Sequence, residues 1–124
     1  MAEAYLFGGV VTSWKTAGRD VLYVRPDAKF DKSKPISGGI PHCWPQFGPG
    51  AIQLHGFARN LDWELSAATG GAAPGIEMTL VDSDATRAMW PAKFKARRQS
   101  PPPAGAVPSS TPLARSRAGR SSCR

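Results

Sequence analysis

The sequence is short of the residues that would make function easy to assign. It has only two cysteines and two histidines in 124 residues. Cys43 and Cys123 stand 80 positions apart, with no CxxC pair and no Cys/His cluster at zinc-site spacing. A structural metal centre is therefore not expected, and two reduced thiols fit a reducing compartment. Long apolar runs are missing too: nothing approaches the roughly 20 residues that a membrane-spanning helix needs. The first eleven residues lack the basic start and small-residue cleavage site of a signal peptide, so the expected location is cytoplasmic. The third scarcity is of acid. All nine Asp and Glu residues fall before position 85, and residues 96–124 contain none.

That last scarcity divides the chain. Residues 1–95 carry ten Lys or Arg against nine acids, a net of 10 − 9 = +1, whereas residues 96–124 carry six Arg and no acid. The high pI thus belongs to the tail, and a nucleic-acid-binding body does not follow from it. The tail also holds Pro101-Pro102-Pro103, Pro108, Pro112 and many serines, with Val107 and Leu113 its only large aliphatics. Ordering a residue costs about 1–2 kcal/mol of backbone entropy. With so little to bury, residues 96–124 are expected to be a disordered Arg/Ser/Pro-rich segment. Its abrupt change of character predicts an origin unlike the body's, through an altered reading frame, alternative splicing or a faulty gene assignment.

The body, residues 1–95, reads as short strands separated by turn chemistry. Ala4-Tyr5-Leu6-Phe7 and Val10-Val11-Thr12-Ser13-Trp14 are β-branched and aromatic runs parted by Gly8-Gly9. Asp20 to Val24 predicts a third strand, closed by Arg25-Pro26-Asp27. Leu61 to Leu65 and Ile76 to Val81 alternate apolar and polar around the turn at 70–75. Asp82-Ser83-Asp84 can open one helical turn before Met89-Trp90-Pro91. Strands at this spacing predict an all-β fold, a sandwich or barrel built of antiparallel sheet.

Residues 36–63, ISGGIPHCWPQFGPGAIQLHGFARNLDW, carry the functional information. Gly38-Gly39 permits positive φ, and Pro41, Pro45 and Pro49 fix the path. Trp44, Phe47 and Phe57 supply flat apolar surface, and His55 and Arg59 place a titratable ring four residues from a fixed cation. Long irregular loops in compact domains are usually functional or disordered, and this one is too apolar for disorder. Aromatic rings beside a few polar groups line small-ligand pockets, and an Arg fork suits phosphate. Bland readings stand beside these. His55 can be a satisfied loop histidine, and Arg59 a solvated ion-pair partner of Asp62 or Glu64. His42 beside Cys43 makes two ligands and no metal site. Trp14, Trp63 and Trp90 suit a β-sandwich core, and Asp82 and Asp84 suit a turn cap.

Gly-Gly-Ile-Pro at 38–41, Trp-Pro-Gln-Phe-Gly-Pro at 44–49 and His-Gly-Phe-Ala-Arg-Asn at 55–60 resemble the paired motifs of the glucose-6-phosphate 1-epimerases, relatives of aldose 1-epimerase. The resemblance runs in collinear order from Tyr5-Leu6-Phe7-Gly8-Gly9 to about Trp90-Pro91-Ala92-Lys93-Phe94. It implies a galactose mutarotase-like supersandwich and an isomerase that interconverts the α and β anomers of a hexose 6-phosphate, with no metal or organic cofactor. A monomer is expected, with a hexose 6-phosphate as partner and no nucleic acid or membrane. A general acid serves the ring oxygen and a general base the anomeric hydroxyl, each proton transfer contributing about 10²–10⁴-fold. In the family these are a second histidine and a glutamate from the carboxy-terminal half, and this chain shows neither in a recognisable position. No catalytic residue is therefore assigned, and a truncated, inactive form is expected.

The resemblance makes His55 the histidine that hydrogen-bonds the sugar near its ring oxygen or C1, and Arg59 a phosphate ligand. Ser37 stands where relatives carry a second phosphate-facing arginine, and Leu54 where glutamine is common, with Gln53 its candidate substitute. The alternative function is a non-catalytic carbohydrate- or phosphosugar-binding module. A third is binding of RNA or anionic lipid through the tail.

Overall fold

The structure, a computed structural model, describes residues 1–69 and 75–100. The expectations for the turn at 70–74, the tail beyond 100 and Cys123 lie outside the described residues. Within them Cys43 is a free thiol.

Two three-stranded antiparallel sheets form the fold, as the strand pattern predicts. The first joins β1 (Ala2–Tyr5), β2 (Val10–Thr16) and β3 (Arg19–Asp20). The second joins β4 (Glu64–Thr69), β5 (Gly75–Val81) and β6 (Lys95–Ser100) in that order. Between β5 and β6 lies the short helix α1 (Asp84–Met89). Ser83 caps it: its side chain accepts from the Thr86 N–H while the Thr86 hydroxyl oxygen accepts from the Ser83 N–H. Asp82 and Asp84 both receive Arg87, and Asp82 also accepts the Phe94 N–H at 3.1 Å, so the pair fastens this connection.

The first strand lies at Ala2–Tyr5 and not over 4–7, and three further boundaries move, each for a local reason. The strand foreseen over 20–24 ends at Asp20, whose carboxylate accepts from the Ser13 hydroxyl, the Trp14 N–H at 2.9 Å and the Leu22 N–H at 3.0 Å. A side chain that captures neighbouring amides in this way turns the backbone out of the ladder. Leu61 to Trp63 bond across to the turn after β1 instead of entering β4. The Leu61 carbonyl accepts from Gly8 and the Trp63 N–H donates to Leu6, both at 2.8 Å. At the other end, β6 carries the sheet to Ser100, so residues 96–100 are strand and not part of a disordered tail. Six β5 partners pair with them and Lys95, from Ile76↔Ser100 to Val81↔Lys95. Composition missed this because a ladder needs backbone groups and one inward face, and Ala96 suffices to pack against the core.

That core is Ala58, Trp63, Met78 and Leu80, with Ala4, Trp44, Ile76, Phe94 and Ala96 packed around it. Ala4 comes from the first sheet, so the two sheets share apolar contact. Phe7, Val10 and Ile36 form a second, smaller cluster. Of the tryptophans expected inside, Trp63 is buried and Trp14 and Trp90 are half-buried. The chain from 21 to 63 is pinned to β2 and the turn after β1 by the isolated bridges Val11↔Ile40 and Phe7↔Asp62, and to itself by Val24↔Gly38 and Trp44↔Gly56.

Gly39 shows how tight one such pin is. Its φ is +65°, its N–H donates to the Tyr23 carbonyl at 2.8 Å, and a Cβ there would lie 2.1 Å from the Val11 carbonyl oxygen. Gly18 has a similar φ of +74° in the β2–β3 turn, with open space around it. Alanine at 18 is expected to cost about 1 kcal/mol of left-handed strain. Alanine at 39 should cost at least 2 kcal/mol more, since a buried backbone must move. Urea denaturation of the two variants checks the difference. Equal losses would refute the steric account.

Asp20 supplies a pH signature. Ser13 first, then the Leu22 and Trp14 amides, hold its pKa down from 3.8 to about 2. A depressed carboxylate contributes stability that is present above pH 4 and lost as pH falls through the folded value. Melting temperature should therefore drop between pH 4 and pH 2, and Asp20→Asn should flatten that part of the profile.

Candidate functional site

The segment 44–60 folds into a braced double turn. Its buried anchors are Phe57, 1% exposed, and Ala58, fully buried. Phe57 meets Trp44 edge-on at 5.7 Å and stacks on Phe94 at 5.8 Å. The Ala58 N–H donates to the Trp44 carbonyl at 3.1 Å, and the Trp63 indole N–H donates to the Ala58 carbonyl at 2.9 Å.

Gln46 organises the outer turn. Its amide hydrogens are shared among the carbonyls of Gly48, Ile52 and Gln53, at 3.1, 3.0 and 3.2 Å. Its oxygen accepts from the Ile52 N–H at 3.4 Å. Gln46 was missed as a site residue, although a signal was available: it is the only polar side chain between Trp44 and Gly50.

His55 sits on this frame with a φ of +64°, a left-handed conformation uncommon outside glycine. Two bonds clamp it to Gly48: the His55 N–H donates to the Gly48 carbonyl, and the Gly48 N–H donates to His55 Nδ1, both at 3.0 Å. Nδ1 is thereby an acceptor, which puts the proton of the neutral ring on Nε2. Phe47, 81% exposed, lies 5.0 Å from the imidazole centroid. The site thus presents one N–H donor beside one bare aromatic ring.

Arg59 is carried by the helical turn Ala58–Asn60. Its Nη2 donates to the Leu54 carbonyl at 2.9 Å, and its Nε is buried without a hydrogen-bond partner. Among the described residues it forms no ion pair with Asp62 or Glu64, and Asp62 is instead held by Lys32 at 2.7 Å. Gln53 donates to the Gly56 carbonyl at 3.0 Å and to Asn60 Oδ1 at 3.2 Å. Its amide holds the turn together, and because 53–54 is a turn and not a strand, two-residue alternation does not decide its direction. The structure places His55, Arg59 and Gln53 on a single turn, with Leu54 linking the first two through its carbonyl. It shows no direct contact between His55 and Arg59. A cavity of about 180 Å³ lies elsewhere, against Leu61, Asp62, Glu64, Leu80 and Ser83.

His42, the other histidine, stacks on the Trp63 indole at 5.1 Å and faces the Gly9 carbonyl with Nε2 at 3.0 Å. Burial first, then the Arg98 cation, push its pKa down to about 4. Among the described residues no group of three His, Cys, Asp or Glu side chains is placed to hold a metal ion. No helix among them is long and apolar enough to cross a membrane.

The chain is matched over residues 1–99 by the family model described as aldose 1-epimerase. A protein of Escherichia coli (strain K12) that carries the provisional name glucose-6-phosphate 1-epimerase is 42% identical over 99 residues, covering 75% of this chain and 33% of the relative. A plant protein of the same provisional name, from Cenchrus ciliaris, is 38% identical over 104 residues, covering 77% and 32%. A crystal structure of a provisionally named mutarotase from Salmonella typhimurium superposes with a TM-score of 0.74 at 38% identity, covering 79% of this chain and 35% of that one. The chain spans about a third of the length of the curated relatives it matches.

The Gln46 frame has a measurable consequence. Gln46→Ala removes the outer brace and leaves the Phe57–Ala58 anchors in place. Melting temperature is expected to fall by only a few degrees, while amide hydrogen exchange across 48–55 accelerates at least tenfold. Unchanged exchange there would show that the backbone holds the turn without its glutamine.

Proposed function

Because the chain belongs to the aldose 1-epimerase family, we propose that it supplies the sugar-holding turn of a hexose-6-phosphate 1-epimerase, an isomerase that interconverts the α and β anomers of a hexose 6-phosphate. The observation that carries this reading is the pairing, on one braced turn, of a fixed Nε2–H donor at His55 with a guanidinium at Arg59 that has no carboxylate partner among the described residues. A sugar oxygen and a phosphate are the acceptors that such a pair fits. Phe47 offers its exposed face beside them.

Anomer exchange requires a proton to reach the ring oxygen as another leaves the anomeric hydroxyl. The ring opens, the C1–C2 bond rotates, and the ring closes on the opposite face. His55 suits orientation in this sequence: with Nδ1 engaged by Gly48, it donates through Nε2 to the ring oxygen or to the oxygen on C1. Arg59 suits the phosphate, which fixes the far end of the sugar. His42, stacked on Trp63 and turned toward Gly9, is not placed in proton transfer to the sugar. Acid and base are accordingly not assigned among these residues, and the 124-residue chain is proposed to bind without turning over. The second reading, a phosphosugar-binding module, is favoured by that same lack of an assigned acid and base.

Titration calorimetry and anomerisation of glucose 6-phosphate test both. The chain should bind the sugar phosphate, and Arg59→Met should weaken binding tenfold or more, since a charge-assisted hydrogen bond contributes about 1.5–3 kcal/mol. Arg87→Met, in the helix connection, should leave affinity unchanged. Anomerisation within tenfold of a full-length relative would overturn the non-catalytic reading, and an Arg59→Met variant that binds as tightly as the parent would overturn the site.

A further inference from the structure

Phe47 stands in solvent on a fixed piece of backbone. Its ring is 81% exposed, whereas Trp44 and Phe57 on either side of it pack against Phe94. Both of its chain neighbours are held. Gln46, before it, shares its side-chain amide among the Gly48, Ile52 and Gln53 carbonyls. Gly48, after it, is bound to His55 by two hydrogen bonds of 3.0 Å. Leaving a phenylalanine ring in water forfeits its hydrophobic stabilisation. Among the described residues its only aromatic neighbour is the His55 imidazole. A single exposed apolar side chain is ordinary. This one differs in its place, beside the fixed donor of the turn.

The two rings, 5.0 Å apart and inclined at 54°, form the walls of an open corner. The His55 wall carries an N–H, since Nδ1 accepts from Gly48 and the proton of the neutral ring lies on Nε2. The Phe47 wall carries an aromatic face, the negative side of the ring's quadrupole. An N–H takes an oxygen lone pair, and an aromatic face takes polarised C–H bonds that lie together on one side of a molecule. A pyranose offers both: its oxygens project around the rim, and its axial C–H bonds stand on its faces. An open-chain hexose phosphate keeps the hydroxyls and the phosphate but has no such face.

We propose that Phe47 is a specificity-determining residue of this turn, a stacking face that makes it bind the closed pyranose form of a sugar phosphate in preference to the open chain. The inference rests on the sugar-phosphate reading of His55 and Arg59 and adds to it the form of the sugar. His55 and Arg59 meet an oxygen and a phosphate, groups that ring and chain share, so they do not tell the two apart. Phe47 does. Ring opening removes the stacked face and leaves the phosphate with Arg59. The hold on C1 and C2 therefore loosens while the bond between them rotates, and returns when the ring closes.

Calorimetric titration of the full chain with two probes tests it: 1,5-anhydroglucitol 6-phosphate, a ring that cannot open, and glucitol 6-phosphate, a chain that cannot close. The parent is expected to bind the ring compound about five- to tenfold more tightly, the range of a favourable aromatic contact. Phe47→Ala and Phe47→Leu should bind the two alike, the leucine keeping apolar bulk without an aromatic face, and Phe47→Tyr should retain the preference. Because the ring is exposed, all three variants should melt close to the parent. Arg59→Met should weaken both compounds by the same factor. A parent that binds both alike, or a Phe47→Leu variant that keeps the preference, overturns the stacking role. The sugar-phosphate reading then still stands if Arg59→Met weakens both. Binding of neither compound overturns that reading and this inference with it.

Discussion

The Trp63 indole is the contact on which the rest of this structure depends. It lies in the core with Met78 and Leu80, donates its N–H to the Ala58 carbonyl, and stacks beneath His42. Its ring also passes so close to Gly9 that a Cβ there would sit 2.8 Å from it. One side chain therefore joins the second sheet, the turn after β1, the Gly38–His42 segment and the turn that carries His55 and Arg59. Full burial of a large side chain contributes on the order of 2–3 kcal/mol. The larger role is geometric: a rigid plane with a single donor fixes four backbone segments without adding charge.

Around that plane the molecule separates satisfied polar groups from stranded ones. Gln46, Gln53 and Asp20 spend their hydrogen-bonding capacity on backbone, and so hold turns. Arg25, Lys32 and Arg87 have carboxylates beside them. Arg59 and Arg98 do not, and both have a buried Nε without a partner. Buried polar atoms are rarely left unpaired, and where they are, an unrecorded ion or ligand is a standard reason.

Much of this was legible from sequence where the signal is local. Alternation over 76–81 located β5, and Asp82-Ser83-Asp84 located the helix cap. Gly-Pro chemistry over 38–50 located an irregular segment with a fixed path, and just beyond it His55 and Arg59 stood out as a titratable ring and a fixed cation four residues apart. The turn's similarity to the epimerases is now joined by family membership across residues 1–99. What escaped was long-range or competitive. Arg98 meets His42 across 56 positions, for which no local pattern exists. Asp20 was read for its neighbours' β propensity, but its carboxylate wins the Trp14 and Leu22 amides and ends the strand. Residues 96–100 were read by charge and entropy, yet pairing with β5 and an inward Ala96 recruit them into the sheet.

The central claim is that the turn from Gln46 to Arg59 is pre-shaped to hold a phosphorylated sugar. Amide chemical-shift mapping of the chain with glucose 6-phosphate tests it most directly. The account predicts saturable shifts centred on Gly48, His55, Gly56 and Arg59. Saturable binding that leaves those amides unmoved and shifts another surface would contradict it.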